Sequence, residues 1–248
     1  MIRFENVVKE LDGRRILDNV NLEIPNQKIT AIIGLSGGGK SVSLKHMIGL
    51  MKPDSGSVWI GDQDITTLNN AQLNKVRQQF SMLFQSGALF DSMSVFDNIA
   101  FPLREKTKMK EDQIRRRVEK ALREVHLPNM GGKFPEELSG GMVKRVALAR
   151  AMVTQPSIIM LDEPTAGLDP IIERSIHYLI CDTYMRTRYT MVVISHAVPE
   201  IFNWAHHGIV LHEGKVLAAG PSIDIVNSKH PVIKQFINGE LDGPVKVM

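Results

Sequence analysis

The sequence has 248 residues, of which 43% are hydrophobic and 23% are charged, and its formal net charge is +3 at pH 7. These proportions are typical of a globular protein, and they exclude a disordered, fibrous or peptide-scale chain. The length suits one α/β domain that carries a smaller insertion. So small a net charge also disfavours a nucleic-acid partner.

The main basic cluster contains Arg115, Arg116, Arg117, Lys120 and Arg123. Apolar residues around it recur at helical spacing, and interleaved glutamates dilute its positive field. We interpret the cluster as the solvated face of a helix. Contact with anionic lipid headgroups or with nucleic acid is the alternative.

The cysteine count and the N-terminus indicate an intracellular chain. Cys181 is the single cysteine, so no internal disulfide can form. Residues 1–10 alternate apolar and polar side chains like an edge strand and lack the cationic flank and apolar stretch of a signal peptide. The longest apolar runs fall far short of the ~20 residues that a membrane helix needs. If this protein serves a membrane, partners therefore do the spanning.

Three short apolar runs predict buried strands, at residues 29–33, 158–161 and 191–194. Because none of them alternates with polar residues, we expect a parallel sheet that is covered by helices on both faces. Helix-forming stretches follow two of these strands, at residues 42–50 and 171–185. The sequence therefore predicts an α/β fold built from strand, helix, strand units.

Residues 86–155 have a different pattern, which is helical and interrupted by several Gly and Pro residues. We interpret this segment as a helical subdomain inserted into the sheet domain. The predicted organisation has three parts: a core of residues 1–85 and 156–226, the helical subdomain of residues 86–155, and a C-terminal tail of residues 227–248.

Residues 34–41 match every fixed position of the phosphate-binding P-loop pattern and lie between a predicted strand and a predicted helix. Glycines in such a loop let backbone N–H groups surround the β- and γ-phosphates, and the helix adds its positive N-terminal end. Lys40 supplies a mobile charge, and Ser41 offers its hydroxyl to Mg²⁺. The predicted nucleotide-binding residues here are Gly34, Ser36, Gly37, Gly38, Gly39, Lys40, Ser41 and Val42. The alternative is a Gly-rich turn that binds nothing.

Two carboxylates, Asp162 and Glu163, follow the predicted strand of residues 158–161, at the end where open α/β sheets bind ligands. We predict that Asp162 holds Mg²⁺ through water and that Glu163 polarises the water that attacks the γ-phosphate. The alternative is a pair of solvated residues that cap the strand. Together with a P-loop, the pair favours hydrolysis of the bound nucleotide.

A P-loop with an acid pair also occurs in helicases and kinases, so these two motifs do not identify the class of nucleotide enzyme. Residues 138–142, with the sequence LSGGM, narrow that choice. Ser139 can cap a helix. Gly140 and Gly141 leave their backbone N–H groups uncovered, and such groups suit a γ-phosphate. An ordinary Ser-capped helix is the alternative. This segment resembles the signature of the ABC ATPase superfamily. The resemblance implies a P-loop NTPase core with a mixed sheet flanked by helices, an inserted ABC helical subdomain, bound ATP and Mg²⁺, and ATP hydrolysis by a head-to-tail dimer.

Three more residues occupy positions that are functional in this superfamily. Gln85 resembles the Q-loop glutamine, which implies contact with Mg²⁺ and water. Asp169 resembles the D-loop aspartate, which implies contact with the facing copy, and His196 resembles the switch histidine, which implies contact with the γ-phosphate. A structural role is the alternative for His196. The resemblance thus gives Glu163, His196 and Gln85 as catalytic residues, and Ser41, Gln85 and Asp162 as Mg²⁺ ligands.

Two positions depart from the superfamily pattern. The aromatic residue that stacks on adenine should fall near Leu11, so we expect apolar contact with the base and looser base selectivity. The signature ends in Met142, where many members have Gln.

Met142 is shared with a subgroup that resembles the maintenance-of-lipid-asymmetry ATPases, and residues 37–42, 44–50, 84–98, 236–239 and 242–245 also resemble that subgroup. This resemblance implies phospholipid transport between bacterial membranes. The implied partners are transmembrane permease subunits, an MCE-domain lipid-binding protein and often a small STAS-domain protein. The implied location is the cytoplasmic face of the inner membrane, peripheral through the permease. Candidate contacts with a coupling helix of the permease are Phe90, Met93, Val95 and Phe96, for which core packing is the alternative.

Two other functions stay open at this point. One is an ABC importer ATPase for a small solute such as an amino acid. The other is a soluble ABC protein that acts as a switch in DNA repair or on ribosomes. The latter is disfavoured because the chain has one P-loop and no long heptad stretch.

Overall fold

The structure, a computed structural model, describes residues 1–246, which fall into two compact units. The first unit contains residues 1–77 and the chain from Thr190 onward, and the second contains residues 78–189. The subdomain boundaries proposed from the sequence, at residues 85 and 156, stay a prediction. The last two residues of the predicted tail, 247 and 248, lie outside the described residues.

An antiparallel sheet in the first unit contains the strands β1 (Ile2–Leu11), β2 (Arg14–Ile24), β4 (Ser55–Ile60) and β5 (Gln63–Asp64). Their order across the sheet is β2-β1-β4-β5. Because β1 pairs with both β2 and β4, the expectation of an edge strand at residues 1–10 was wrong. The alternation there has another cause: Ile2 and Phe4 are buried on one face, as in antiparallel sheets that cover a core on one side, and Val7 is buried after a register shift.

A second set of strands in the first unit contains β3 (Ile29–Ile33), β8 (Thr190–Ile194), β9 (His207–His212) and β10 (Lys215–Pro221). Strand β3 runs parallel to β8 and to β9, while β10 is antiparallel to β9. Every residue of β3 and β8 is buried, which explains why these runs are apolar without alternation.

The helical elements of the first unit are α1 (Lys40–Met47), α2 (Asn70–Arg77), a 3₁₀ turn at Glu200–Asn203, α7 (Ser222–Val226) and α8 (Pro231–Asn238). The C-terminal segment folds back on α8. The buried Gln235 donates from Nε2 to the carbonyl of Val245 at 2.8 Å and accepts from the Val245 N–H at 2.8 Å. Ile237 is buried and Phe236 is half-buried.

The second unit combines the parallel strands β6 (Phe80–Leu83) and β7 (Ile158–Asp162) with helices. The helices are α3 (Val95–Lys106), α4 (Glu111–Glu124), a 3₁₀ turn at Pro135–Glu137, α5 (Gly140–Met152) and α6 (Pro170–Thr187). Within residues 1–246, no helix combines the length and the apolar character that a membrane crossing needs.

Helix α4 carries the basic cluster. Its apolar residues Ile114, Val118, Ala121 and Leu122 are buried. Four of the five cations are exposed, as a solvated face requires: Arg115, Arg116, Lys120 and Arg123. The half-buried Arg117 instead donates from Nε to the carbonyl of Val153 at 3.1 Å.

Asn98 organises the loop that enters α3. Its fully buried amide accepts from the Phe90 N–H at 2.8 Å and donates to the carbonyls of Phe90, Met93 and Ser94 at 3.0–3.1 Å. Val95 is also fully buried and belongs to the core, whereas Phe90 is 43% exposed and Met93 and Phe96 are half-buried.

We expect Asn98→Leu to lower the free energy of unfolding by about 3 kcal/mol, because it removes every hydrogen bond of a fully buried amide, including those to the Phe90 N–H and the Met93 carbonyl. Urea unfolding of the purified chain measures this loss. The control is Asn203→Leu at an exposed position, where we expect almost no change. Equal losses in the two variants would contradict the role given to the Asn98 amide.

Candidate functional site

The loop between β3 and α1 has a backbone that only glycine fits at two points. Gly34 has φ +148°, and a Cβ added there would lie 2.0 Å from the carbonyl oxygen of Leu211. Gly39 has φ +95°, and its added Cβ would lie 2.9 Å from the carbonyl oxygen of Ile16. The two glycines let the chain turn sharply from the strand into the helix that begins at Lys40.

Lys40 folds back over this loop. Its Nζ donates to the carbonyls of Gly34 at 2.7 Å and Leu35 at 2.9 Å, and the residue is only 6% exposed. The loop is closed by the Gly38 N–H, which donates to the carbonyl of Leu35 at 3.1 Å. The buried ammonium therefore lies inside the loop that the sequence predicts to hold phosphates.

The remaining predicted residues of the first unit are more open to solvent. Ser36, Gly37 and Ser41 are exposed, and Val42 is half-buried. His196 is exposed two residues after β8. The half-buried Leu11 ends β1 and pairs with Arg14 across the turn to β2.

In the second unit the structure brings Gln85 and Glu163 together. Strands β6 and β7 are parallel, with Leu83 opposite Leu161, so the residues two positions later also face each other. Gln85 donates from Nε2 to Glu163 Oε2 at 3.2 Å. Asp162 is the last residue of β7, and Glu163 turns the chain away with φ +47°.

The signature segment forms the start of α5. Ser139 caps this helix, with its Oγ accepting from the Met142 N–H at 3.4 Å. Gly140 and Gly141 are its first residues, and a Cβ on Gly141 would lie 2.6 Å from Cγ2 of Ile172. The helix terminus thus offers bare N–H groups, which favour an anion.

Asp169 caps the neighbouring helix α6, since its Oδ1 accepts from the N–H groups of Ile171 and Ile172 at 3.1 Å. Its carboxylate therefore stabilises the helix start in addition to any contact with a second chain.

Sequence reasoning missed two residues that hold the loop after β6. Lys144 donates from Nζ to the backbone carbonyl of Gln85, and Arg150 donates to those of Gly87 and Ala88. One feature of the sequence could have indicated this role. Both cations lie on α5 near the run from Val146 to Ala149, which is apolar and fully buried.

The residues present fit ATP with Mg²⁺. Ser41, Asp162 and Gln85 carry the hydroxyl, carboxylate and amide oxygens that Mg²⁺ prefers. At Gly34 and Gly39 an added Cβ would overlap backbone carbonyls, so only glycine fits, and glycines in such a loop let phosphate oxygens approach the backbone N–H groups closely.

Comparison with known proteins places these features in one family. The ABC transporter family profile matches residues 17–166. The intermembrane phospholipid transport system ATP-binding protein MlaF of Haemophilus influenzae is 42% identical over 246 residues, which is 99% of this chain and 93% of that protein. The probable ribonucleotide transport ATP-binding protein mkl of Mycobacterium leprae is 41% identical over 244 residues, 98% of this chain and 70% of that protein.

Two solved structures have the same fold. A dimeric post-hydrolysis state of the ATP-binding cassette MJ0796 bound to ADP and Pi has a TM-score of 0.81 at 30% identity, covering 90% of this chain and 99% of that one. The cbiO1 protein of Clostridium perfringens, part of the ABC transporter complex cbiONQ, has a TM-score of 0.84 at 30% identity, covering 97% and 95%.

The chain belongs to the ABC transporter family, as an ATP-binding subunit. It binds ATP with Mg²⁺ and hydrolyses it. The predicted fold, with sheets flanked by helices in an α/β arrangement, is confirmed, as are the predicted enzyme class and cofactors.

Proposed function

We propose that this chain is the ATP-hydrolysing subunit that energises phospholipid transport between bacterial membranes. The observation that carries the proposal is the 42% identity to MlaF of Haemophilus influenzae, which extends over 99% of this chain. MlaF of Escherichia coli is equally similar, at 42% over 94% of this chain. A similarity that includes the regions outside the nucleotide-binding motifs supports a shared transport system and not only a shared ATPase.

The residues of the first unit bind the nucleotide in this proposal. The P-loop N–H groups and the Lys40 ammonium hold the phosphates, with Ser36, Gly37 and Gly38 in the loop and Val42 in the first turn of α1. Leu11 offers apolar contact to the base. His196, exposed after β8, contacts the γ-phosphate.

The residues of the second unit act on water. Glu163 accepts the proton of the attacking water, and Gln85, hydrogen-bonded to Glu163, orients that water. Ser41, Asp162 and Gln85 would hold Mg²⁺, which would neutralise phosphate charge.

A second copy of this chain completes each site. The N-terminus of α5, with Ser139, Gly140 and Gly141, binds the γ-phosphate of the ATP held by the facing copy, and Asp169 contacts that copy. The exposure of Gly140 and Asp169 supports this arrangement. ATP binding closes the dimer, and hydrolysis reopens it.

The partners in this proposal are transmembrane permease subunits, an MCE-domain lipid-binding protein and a small STAS-domain protein. The permease converts the closing motion into lipid transfer and holds the chain at the cytoplasmic face of the inner membrane. The partly exposed Phe90, Met93 and Phe96 are the candidate contacts with its coupling helix. The predicted division into core, helical subdomain and tail belongs to this proposal.

A second candidate is an importer ATPase for a small solute, which the 41% identity to the mkl protein favours. The two candidates differ in their partners. Affinity purification of the tagged chain from native membranes, followed by mass spectrometry, is expected to give a permease with an MCE-domain protein. A permease with a soluble solute-binding protein would instead support the second candidate and contradict the first.

A further inference from the structure

Lys144 is a buried cation of the second unit. The residue is 5% exposed, and its Nζ donates to the backbone carbonyl of Gln85. Burial lowers the pKa of its ammonium, and the Glu163 carboxylate acts in the opposite direction. The Lys144 ammonium therefore interacts with the Glu163 carboxylate, and its hydrogen bond holds the backbone of Gln85. The side chains of Gln85 and Glu163 in turn meet at 3.2 Å.

The loop that carries Gln85 is held by the same helix at further points. Arg150 donates from Nη1 to the carbonyl of Ala88 at 2.6 Å and from Nη2 to that of Gly87 at 2.7 Å. A Cβ on Gly87 would lie 3.0 Å from Cγ1 of Val143, so the loop backbone lies directly against α5. The loop and helix α5 are thus packed as one piece of structure.

A buried ammonium is a costly way to bind one neutral carbonyl. Removing its charge from water disfavours folding, and a neutral donor would satisfy the same carbonyl. The charge has a use in this location, because the ammonium binds the backbone of the residue proposed to orient water and interacts electrostatically with the carboxylate proposed as the base. The Lys144 charge is buried, and electrostatic interactions are stronger in a protein interior than in water.

We propose that Lys144 is a positioning residue for hydrolysis, which holds Gln85 and Glu163 in their catalytic arrangement through its hydrogen bond and its charge. The inference rests on the roles given above to Gln85 and Glu163. Because Lys144 lies on α5, whose first residues form the signature segment, its hydrogen bond joins that helix to the Gln85 loop.

The test is steady-state hydrolysis of ATP by the full chain in its membrane complex. Lys144→Met keeps a long side chain and removes the donor and the charge; we expect kcat to fall about 10- to 100-fold. The KM for ATP stays within about threefold of the wild type, because the nucleotide-binding loop is untouched. Lys144→Arg, which restores both the donor and the charge, recovers most of kcat.

The matched control is Lys106→Met. Lys106 is also a lysine of the second unit whose Nζ donates to a backbone carbonyl, that of Phe80 at 3.3 Å, and burial lowers its pKa too. We expect wild-type kcat from this variant. An equal loss in Lys106→Met, a wild-type kcat in Lys144→Met, or no recovery in Lys144→Arg would each overturn the proposal.

Two further variants keep the outcome decisive. If Lys144→Met does not fold, as judged by thermal unfolding, Lys144→Gln replaces it; a several-fold loss of kcat supports the proposal, and a wild-type kcat overturns it. Glu163→Gln tests the underlying roles separately. Full turnover in Glu163→Gln would refute the assigned base, whereas loss in Glu163→Gln with wild-type turnover in Lys144→Met would refute the role of Lys144 alone.

Discussion

Replacement of Glu163 by Gln is expected to lower ATP turnover by about 100- to 10,000-fold, the usual contribution of a general base. The amide cannot take the proton of the attacking water. The substitution preserves size, and the amide oxygen of the introduced glutamine can still accept from Gln85 Nε2, which lies 3.2 Å from Glu163 Oε2 in the wild type. ATP binding should therefore be retained, since the P-loop belongs to the first unit and is unchanged.

Phosphate release measures the turnover, and a fluorescent ATP analogue measures the binding. Glu173→Gln provides a matched control, because Glu173 is an acid of the same unit that accepts a hydrogen bond from Thr165 at 3.0 Å. We expect this variant to hydrolyse ATP at the wild-type rate. Undiminished turnover in Glu163→Gln would remove Glu163 as the base, and loss of ATP binding would mean that the substitution acts on the fold.

Local signals predicted the parts of the site whose geometry is set within a few residues. The P-loop is such a case, because the turn from β3 to α1 depends on the glycines at 34 and 39 and on the lysine that follows. The helix cap at Ser139 is another, since a hydroxyl and the N–H three residues later suffice to form it. The apolar runs of β3 and β8 likewise indicated strands buried on both faces.

Features that depend on pairing between distant segments were not predictable in this way. The contact of Gln85 with Glu163 follows from the register of β6 on β7, which no local pattern encodes. Strand β1 has the alternation of an edge strand, yet it lies between β2 and β4, because alternation reports which face is solvated and not which strands are neighbours.

The tail and helix α5 show the same limit. Gln235 is a polar residue, yet it is buried, because the chain after α8 returns to it. The backbone of Val245 forms hydrogen bonds with both the nitrogen and the oxygen of its side-chain amide. No local pattern around Lys144 and Arg150 indicates that their side chains bind the backbone of the loop after β6. In each case, the partner is a backbone group contributed by a separate segment.

The second large effect is a loss of stability when Gly34 is replaced. In Gly34→Ala the new Cβ would lie 2.0 Å from the Leu211 carbonyl oxygen, which is backbone and cannot swing aside, and φ is +148°. Strain of this backbone region and overlap in a packed interior should together lower the free energy of unfolding by about 3 kcal/mol or more. ATP binding should be lost as well, because relief requires moving the start of the P-loop away from β9.

Gly13→Ala separates the two causes. Gly13 also has a positive φ, +73°, but no atom of the described residues lies within 4 Å of an added Cβ. This variant carries backbone strain without overlap, so we expect a loss of only about 1–2 kcal/mol and normal ATP binding. Urea unfolding of both variants gives the comparison. If Gly34→Ala were no less stable than Gly13→Ala, the P-loop could shift from Leu211 at little cost, and its shape would be set by the nucleotide and not by the fold.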